Sequence, residues 1–572
     1  MPTSNLGLNL PSPPEEPPKE TFDFSVDAIK KWYDELQTVD LEKNATDFIT
    51  RLRVMHHAQL DVNNRMQVLE ILRPLTQVIH RGLKKHYTNQ TSPLSEQKLA
   101  KLKLSNNLQI EMLYGYKTII ENISSTNQGK SSLPDAIYLA FKHYNNLLSN
   151  YYNTYTQIPE NTWQEIHNIF KYAIDSGIHL NKITLDTKDN NITVITPYKQ
   201  ALFVASTRPY QWRQIEQDML YSYGVAWNEY IDLRKFESSD QNAANDVFFV
   251  PINQDAGPFV ATIENSPIVM ESSGYTLDLS KLTTYLKKIQ EDPKELAQQT
   301  VMATYSLQKL INYLINGTKR KLERFNIMGQ VVASFGLPAT HYHINKKKKF
   351  HPESVGHANA DDDDSEELQL GADLGGDSMA DGDSSFQANT ALYKCKLTNI
   401  HGEGAGIIVE DMKYPPIQPG EIVAMAFAED DKLEADETHW NIGTIRWLQH
   451  NREQRLLAGI EILAPFAMAA AVQLIKDDKP VGYYQRAFLC QVSTEGNTGF
   501  NIITPIVQFE PDKTVKIYSY YHKKEIETKL KELLANNNNF KCFAVDLDLP
   551  TDLKKSDEIK SDDSDMSGEL SL

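Results

Sequence analysis

Cysteine is scarce: the 572 residues contain three, Cys395, Cys490 and Cys542, with no C-x-x-C spacing. That excludes a disulfide framework and points to a reducing compartment. Cys395 and Cys490 fall in strand-like runs, where a small buried hydrophobe is the expected role. Long apolar runs are missing too. The best, 464–475, is shorter than the ~20 residues a bilayer-crossing helix needs, and the opening residues lack the basic stretch and apolar core of an export signal. The expectation is a cytoplasmic protein without membrane insertion. Basic charge is in deficit, with 58 Lys and Arg against 76 Asp and Glu, a net of −18. The excess is concentrated: Asp361 to Asp383 holds ten acidic residues and no basic one, and the tail after Asp546 is acid-rich. This argues against binding a nucleic-acid polymer while leaving room for a local basic pocket. The signatures G-x-x-x-x-G-K-[ST], G-x-S-x-G and H-E-x-x-H are all absent, and no carboxylate pair stands out, so an enzyme is not expected.

What is present is a chain too long for one core, with about three or four domains as the natural division. The expected fold class is multidomain α+β, with an N-terminal all-helical array, a mixed middle region, a strand-rich region whose β-barrel form is implied by a family resemblance, and a smaller β-rich unit. Residues 1–25 are proline-rich and polar and read as disordered. Over 26–180 apolar residues recur at three and four, beginning with Ile29, Trp32, Tyr33 and Leu36, which predicts helices with antiparallel neighbours. Pro74 lies inside one of them and is expected to kink or split it. The tyrosines and tryptophan of 138–172 read as helix packing. Residues 181–318 are mixed α/β. Strand-like runs lie at 191–195, 248–252 and 259–263, a short helix at 198–205, and a longer one at 293–315 that Asn316-Gly317 ends. Residues 319–478 read as the barrel, split by an acidic insert over 346–390 that is too charged and too rich in Gly and Ser to build a core. Residues 467–474 look like a short helix closing that barrel. The β-rich unit, 479–548, combines alternating runs with a helix predicted over 524–534, and 549–572 is an acidic disordered tail.

The chemistry collects around that insert. Arg320 and Arg324 stand four apart just after the long helix, followed by the apolar run 330–337. On the far side lie Asn399, His401 and Gly404, within Lys394 to Val409, where glycines recur at 402, 404 and 406. Arginine presents five donors in a planar fork that fits phosphate, or the O6/N7 edge of guanine, in bidentate fashion. Asparagine offers a base edge both a donor and an acceptor, and glycines let backbone approach a planar ligand. Read without a ligand, the arginines simply favour the C-terminal end of the preceding helix. His341 and His343 are expected to alternate on one strand face. No ordered fourth ligand accompanies them, so neither a metal nor a cofactor is expected.

These residues resemble the PilZ domain, a bacterial receptor module for cyclic di-GMP whose pattern is R-x-x-x-R, a variable gap, then [D/N]-x-[S/A]-x-x-G. Arg320 and Arg324 match the first part; Asn399 and Gly404 match the ends of the second; His401 stands where Ser is usual. Gly443-Thr444-Ile445-Arg446-Trp447 and Leu457-Ala458-Gly459-Ile460-Glu461-Ile462-Leu463 are similar to later strands of the family, in the expected order. The resemblance implies a cyclic di-GMP receptor in which Arg320, Arg324, Asn399, His401 and Gly404 bind the nucleotide and the helical region acts on a protein partner. The alternatives are a PilZ-like adaptor that binds no nucleotide and serves as a protein scaffold, favoured by the departure at His401, and, third, an enzyme acting on a nucleotide or peptide.

Overall fold

The computed structural model describes residues 5–11, 22–36, 40–88, 93–185, 191–240, 245–261, 274–291, 304–317, 329–353, 355, 390–401, 403–411, 414, 417–427, 439–451, 453, 455–494, 497–537 and 539–548. Arg320 and Arg324, most of the acidic insert and the C-terminal tail lie outside them. The chain divides into two compact units: Met1–Met328 with Cys395–Pro419 and Ile445–Ile460, and Gly329–Lys394 with Gly420–Thr444 and Glu461–Leu572.

In the first unit the helices are α1 (Val26–Glu35), α2 (Leu41–His57), α3 (Val62–Lys84), α4 (Glu96–Thr126), α5 (Leu133–Asn153), α6 (Thr162–Asp175), α7 (Thr196–Ser206) and α8 (Gln214–Ala226). Their starts are set locally. Ser25, Asp40, Asp61 and Ser95 each accept a hydrogen bond from a backbone N–H of the first turn, satisfying donors that the helix itself leaves unpaired. Pro74 does not split α3, which runs on through it with Leu72, Leu75 and Ile79 on its buried face. Tyr144, Tyr152, Trp163 and Phe170 are buried, and the Phe170 ring stacks on Tyr198 at 4.3 Å. The aromatics here are core.

The proline-rich lead is partly built into this core. Leu8 is 5% exposed, with Leu6 and Leu10 packed beside it. The Asn5 N–H donates to Glu121 Oε1 at 2.7 Å, and the Asn9 N–H donates to Glu165 Oε1. Three leucines in a polar stretch were enough to hold a strap that composition averages away.

After α8 a four-stranded sheet forms in the order β1-β4-β2-β3 from Asp232–Lys235, Val247–Val250, Phe259–Val260 and Tyr275–Asp278. The expected strand at 191–195 is a single bridge, Lys182 to Thr193, before the chain turns into α7. Two helices follow, α9 (Ser280–Glu291) and α10 (Thr304–Asn316).

Twelve further strands close two barrels. The first runs in the order β10-β7-β6-β5-β8-β9, built from β5 (Gly329–Phe335), β6 (Tyr393–His401), β7 (Gly404–Val409), β8 (Ile422–Phe427), β9 (Asn441–His450) and β10 (Leu456–Ala464). On it the Trp447 indole lies where a side chain at 459 would stand, so Gly459 is needed for close approach. The second barrel runs β11-β12-β13-β16-β15-β14, from β11 (Ala467–Lys476), β12 (Lys479–Thr494), β13 (Asn497–Pro505), β14 (Thr514–Ser519), β15 (Lys524–Asn536) and β16 (Phe540–Val545).

Two expected helices are strands. Residues 467–474 belong to β11, paired with β12 (Ala470 opposite Ala487) and with β14 (Ala470 opposite Ser519). Ala467 to Val472 are all buried. Alanine's helix preference is a weak term beside two ladders of hydrogen bonds and close packing on both faces. Residues 524–534 belong to β15, whose Ile526, Thr528 and Leu530 turn alternately inward and whose Leu530 sits opposite Val545.

Conversely, His341 and His343 are on a helix, α11 (Leu337–Ile344), which Gly336 (φ +84°) and Pro338 start directly after β5. His341 Nε2 donates to the Ala470 carbonyl at 3.1 Å and His343 Nε2 to the Thr390 carbonyl at 2.6 Å. Burial pushes the His341 ring down to about 4 and lowers His343 as well. Both are neutral anchors for the helix.

Candidate functional site

The glycine-rich run forms the β6–β7 hairpin. His401 lies opposite Gly404, Ile400 opposite Ala405 and Asn399 opposite Gly406, with a bulge between Leu397 and Asn399. The β7 residues paired with positions 399 and 401 are both glycines, so at those two positions the adjoining strand presents bare backbone.

The bulge uses the vacant space. Thr398 Oγ1 donates to the Gly406 carbonyl at 2.9 Å, and Asn399 Nδ2 donates to Thr398 Oγ1 at 3.1 Å. A Cβ at 406 would come within 2.7 Å of both Asn399 Nδ2 and Thr398 Oγ1. Gly406 therefore leaves room for the Asn399 amide beside it, and the hydrogen bond to Thr398 Oγ1 orients that amide. This is a pre-set amide beside bare backbone, suited to reading the edge of a planar base. Asn399, His401 and Gly404 are thus brought to one hairpin end. The side chain of His401, like Arg320 and Arg324, lies outside what the structure describes. Thr398 is an addition to the residues singled out from sequence, and Gly406, noted there as one of the recurring glycines, acquires a specific contact. The recoverable signal was the pair of glycines at 404 and 406, which leaves bare backbone at two positions on one side of β7.

The arginine-bearing segment, residues 318–328, leaves from a well-held point. Gly317 ends α10 in the left-handed conformation (φ +60°), its N–H donating to the Tyr313 carbonyl at 2.9 Å, the usual glycine stop. A Cβ there would run into the Asn245 side chain, whose Nδ2 donates to the Ile315 carbonyl at 2.9 Å. Further up the helix, Tyr313 Oη donates to the Ser206 carbonyl and Lys309 Nζ to the Gln211 carbonyl, both at 2.7 Å, and Ser306 Oγ donates to Glu216. The Lys309 ammonium also lies 4.2 Å from the centre of the Trp212 ring. Burial pushes Lys309 down to about 8, with Arg446 and Arg213 adding to the fall and Glu216 opposing it. Helix α10 is clamped to α7 and α8.

Among the described residues no group of three or more His, Cys, Asp and Glu side chains could hold a metal ion, and no helix is long and apolar enough to cross a membrane. Cys395, Cys490 and Cys542 are buried and form no disulfide.

Comparison with known proteins gives two family matches. A model described as the N-terminal domain of the cyclic-di-GMP receptor FimW matches residues 27–238. One described as the middle PilZ domain of the same receptor matches 247–373 and 357–468, two pieces that meet inside the acidic tract. The chain is also 22% identical, over 584 aligned positions, to the cyclic-di-GMP receptor FimW of Pseudomonas aeruginosa, with 94% of this chain and 93% of that one covered.

Proposed function

Because the chain belongs to the family of FimW-type PilZ-domain proteins, we propose that it is a cytoplasmic receptor for cyclic di-GMP that passes the binding event to a protein partner through its helical region. The observation that carries this reading is the PilZ match spanning the hairpin on which Gly406 holds Asn399 in place. In the proposed site Arg320 and Arg324 clamp the phosphates and a guanine edge, Asn399 reads a base, His401 takes the place of a serine hydroxyl, and the backbone at Gly404 allows close approach. No nucleophile or general base is assigned, and the reading is that of a receptor. Three buried cysteines that form no disulfide fit a reducing interior.

The relay follows from where the arginines are tethered. Residues 318–328 join α10, clamped to α7 and α8, to β5. A ligand that gathers Arg320 and Arg324 toward the hairpin loads the end of a helix fixed in the helical unit. The test is calorimetry with cyclic di-GMP on the wild type, Arg320→Ala, Arg324→Ala and the double variant. Each single loss of a charge-assisted hydrogen bond is expected to cost about 1.5–3 kcal/mol, roughly ten- to more than a hundredfold in affinity. Wild-type affinity in the double variant rules the site out.

A further inference from the structure

The helical unit contains a polar trough walled by α5, α7 and α8, with a volume of about 520 Å³, inside the ~300–1,000 Å³ usual for ligand sites. One wall is a single face of α5, where Tyr138, Lys142, Asn145 and Ser149 recur at intervals of four, three and four. At about 1.5 Å per residue that row runs roughly 16 Å, the length of about five residues of extended chain. Gln200 of α7 and Tyr221 and Val225 of α8 face it.

Part of the lining is tied together by hydrogen bonds. Lys84 Nζ donates to Ser149 Oγ at 2.9 Å and to Asp218 Oδ1 at 2.7 Å, and Asn153 Nδ2 donates to the same carboxylate oxygen at 2.9 Å. Asn145 Nδ2 donates to the Pro197 carbonyl and to Gln200 Oε1, both at 2.8 Å. That fixes the amide, and Asn145 Oδ1 is left buried with no hydrogen-bond partner; the Tyr221 hydroxyl is in the same condition. A buried acceptor in this state is destabilising, and an incoming donor relieves it. At the rim Val225 stands 40% exposed. The lining carries two lysines, Lys84 and Lys142, against one carboxylate, Asp218.

We infer that this trough binds an extended peptide segment of a partner protein, one that presents an apolar residue next to an acidic one. Its main-chain N–H meets Asn145 Oδ1, its apolar side chain covers Val225 and Ile192, and its carboxylate lies toward Lys142. Side-chain amides suit this task because they carry the donor and acceptor of a peptide group. The inference rests on reading the helical unit as the output of the receptor, and it does not require the nucleotide site to be as assigned.

The experiment is fluorescence polarisation on the full chain with labelled, end-blocked octapeptide pools whose central pair is Leu-Glu, Leu-Gln or Leu-Lys. The Leu-Glu pool is expected to bind about tenfold or more tightly than the Leu-Lys pool. Val225→Arg, which fills the trough from an exposed position, is expected to abolish binding, and Lys142→Glu to reverse the preference. Calorimetry with cyclic di-GMP on both variants is expected to match the wild type, which shows that they are folded and separates failure here from failure of the nucleotide site. Equal binding of all pools, no binding up to millimolar protein, or indifference to both substitutions overturns the inference. So does displacement of the pools by cyclic di-GMP.

Discussion

Replacing Gly406 with alanine brings a methyl carbon to 2.7 Å from Asn399 Nδ2 and Thr398 Oγ1, and to 3.1 Å from Asn399 Cγ. Real side-chain carbons do not sit that close, so both neighbours must swing away. Two hydrogen bonds go with them, Thr398 Oγ1 to the Gly406 carbonyl and Asn399 Nδ2 to Thr398. At about 0.5–1.5 kcal/mol each, the loss of stability is roughly 1–3 kcal/mol. The same movement removes the amide from the face on which a base is proposed to lie. One neutral hydrogen bond, about 1 kcal/mol, together with the lost preorganisation amounts to a roughly tenfold weaker affinity. The assay pairs chemical denaturation with calorimetry against cyclic di-GMP, using Gly499→Ala as the control. There the nearest atom to the new methyl is Val492 Cγ2 at 4.0 Å, and no penalty is expected. If Gly406→Ala behaves like Gly499→Ala in both measurements, the pose of Asn399 has no bearing on stability or recognition.

Lys309 should show itself in the pH dependence of stability. Its folded value lies near 8 against an ordinary 10.5, so between these the unfolded chain binds more protons and stability rises with pH. Lys309→Met lacks that rise, so from pH 8 to 10.5 the difference between the two should move in favour of the wild type by up to about 3 kcal/mol, and parallel stability profiles across that window refute the assignment. Leu8→Ala should release the N-terminal strap, costing about 2 kcal/mol locally. Hydrogen exchange at the Asn9 amide should quicken by roughly thirtyfold, whereas an unchanged rate means the strap is not held by Leu8. His401→Ser should keep cyclic di-GMP affinity within about tenfold of the wild type; binding that appears only in the variant favours a wild type that is a nucleotide-blind adaptor.

The helices of the first unit were readable because each buries one stripe at three-and-four spacing, and the PilZ-like strands because short motifs came in order. The errors share a cause. In 467–474 and 524–534 the residues favour a helix locally, Ala-rich in one and Lys-Glu-rich in the other, and strand pairing with partners distant in sequence decided against them. Residues 337–344 failed the other way: a strand was read through His341 and His343, although Gly336-Leu337-Pro338 is an adequate helix start. Of the candidate site, the sequence marks Asn399 as a candidate and says nothing of its pose. That pose depends on a one-residue bulge which shifts Thr398 out of register, and bulges leave little trace in composition.

A sheet rolled onto itself has no rim. All six strands of the C-terminal barrel find neighbours on both sides, so another protein cannot lengthen it by adding a strand of its own. Whatever meets this barrel must read projecting groups, and among the described residues the most exposed aromatics are Tyr483, 65% exposed, and Tyr521, 54% exposed. Closure makes the barrel proof against edge-to-edge aggregation and moves its recognition from main chain to side chain.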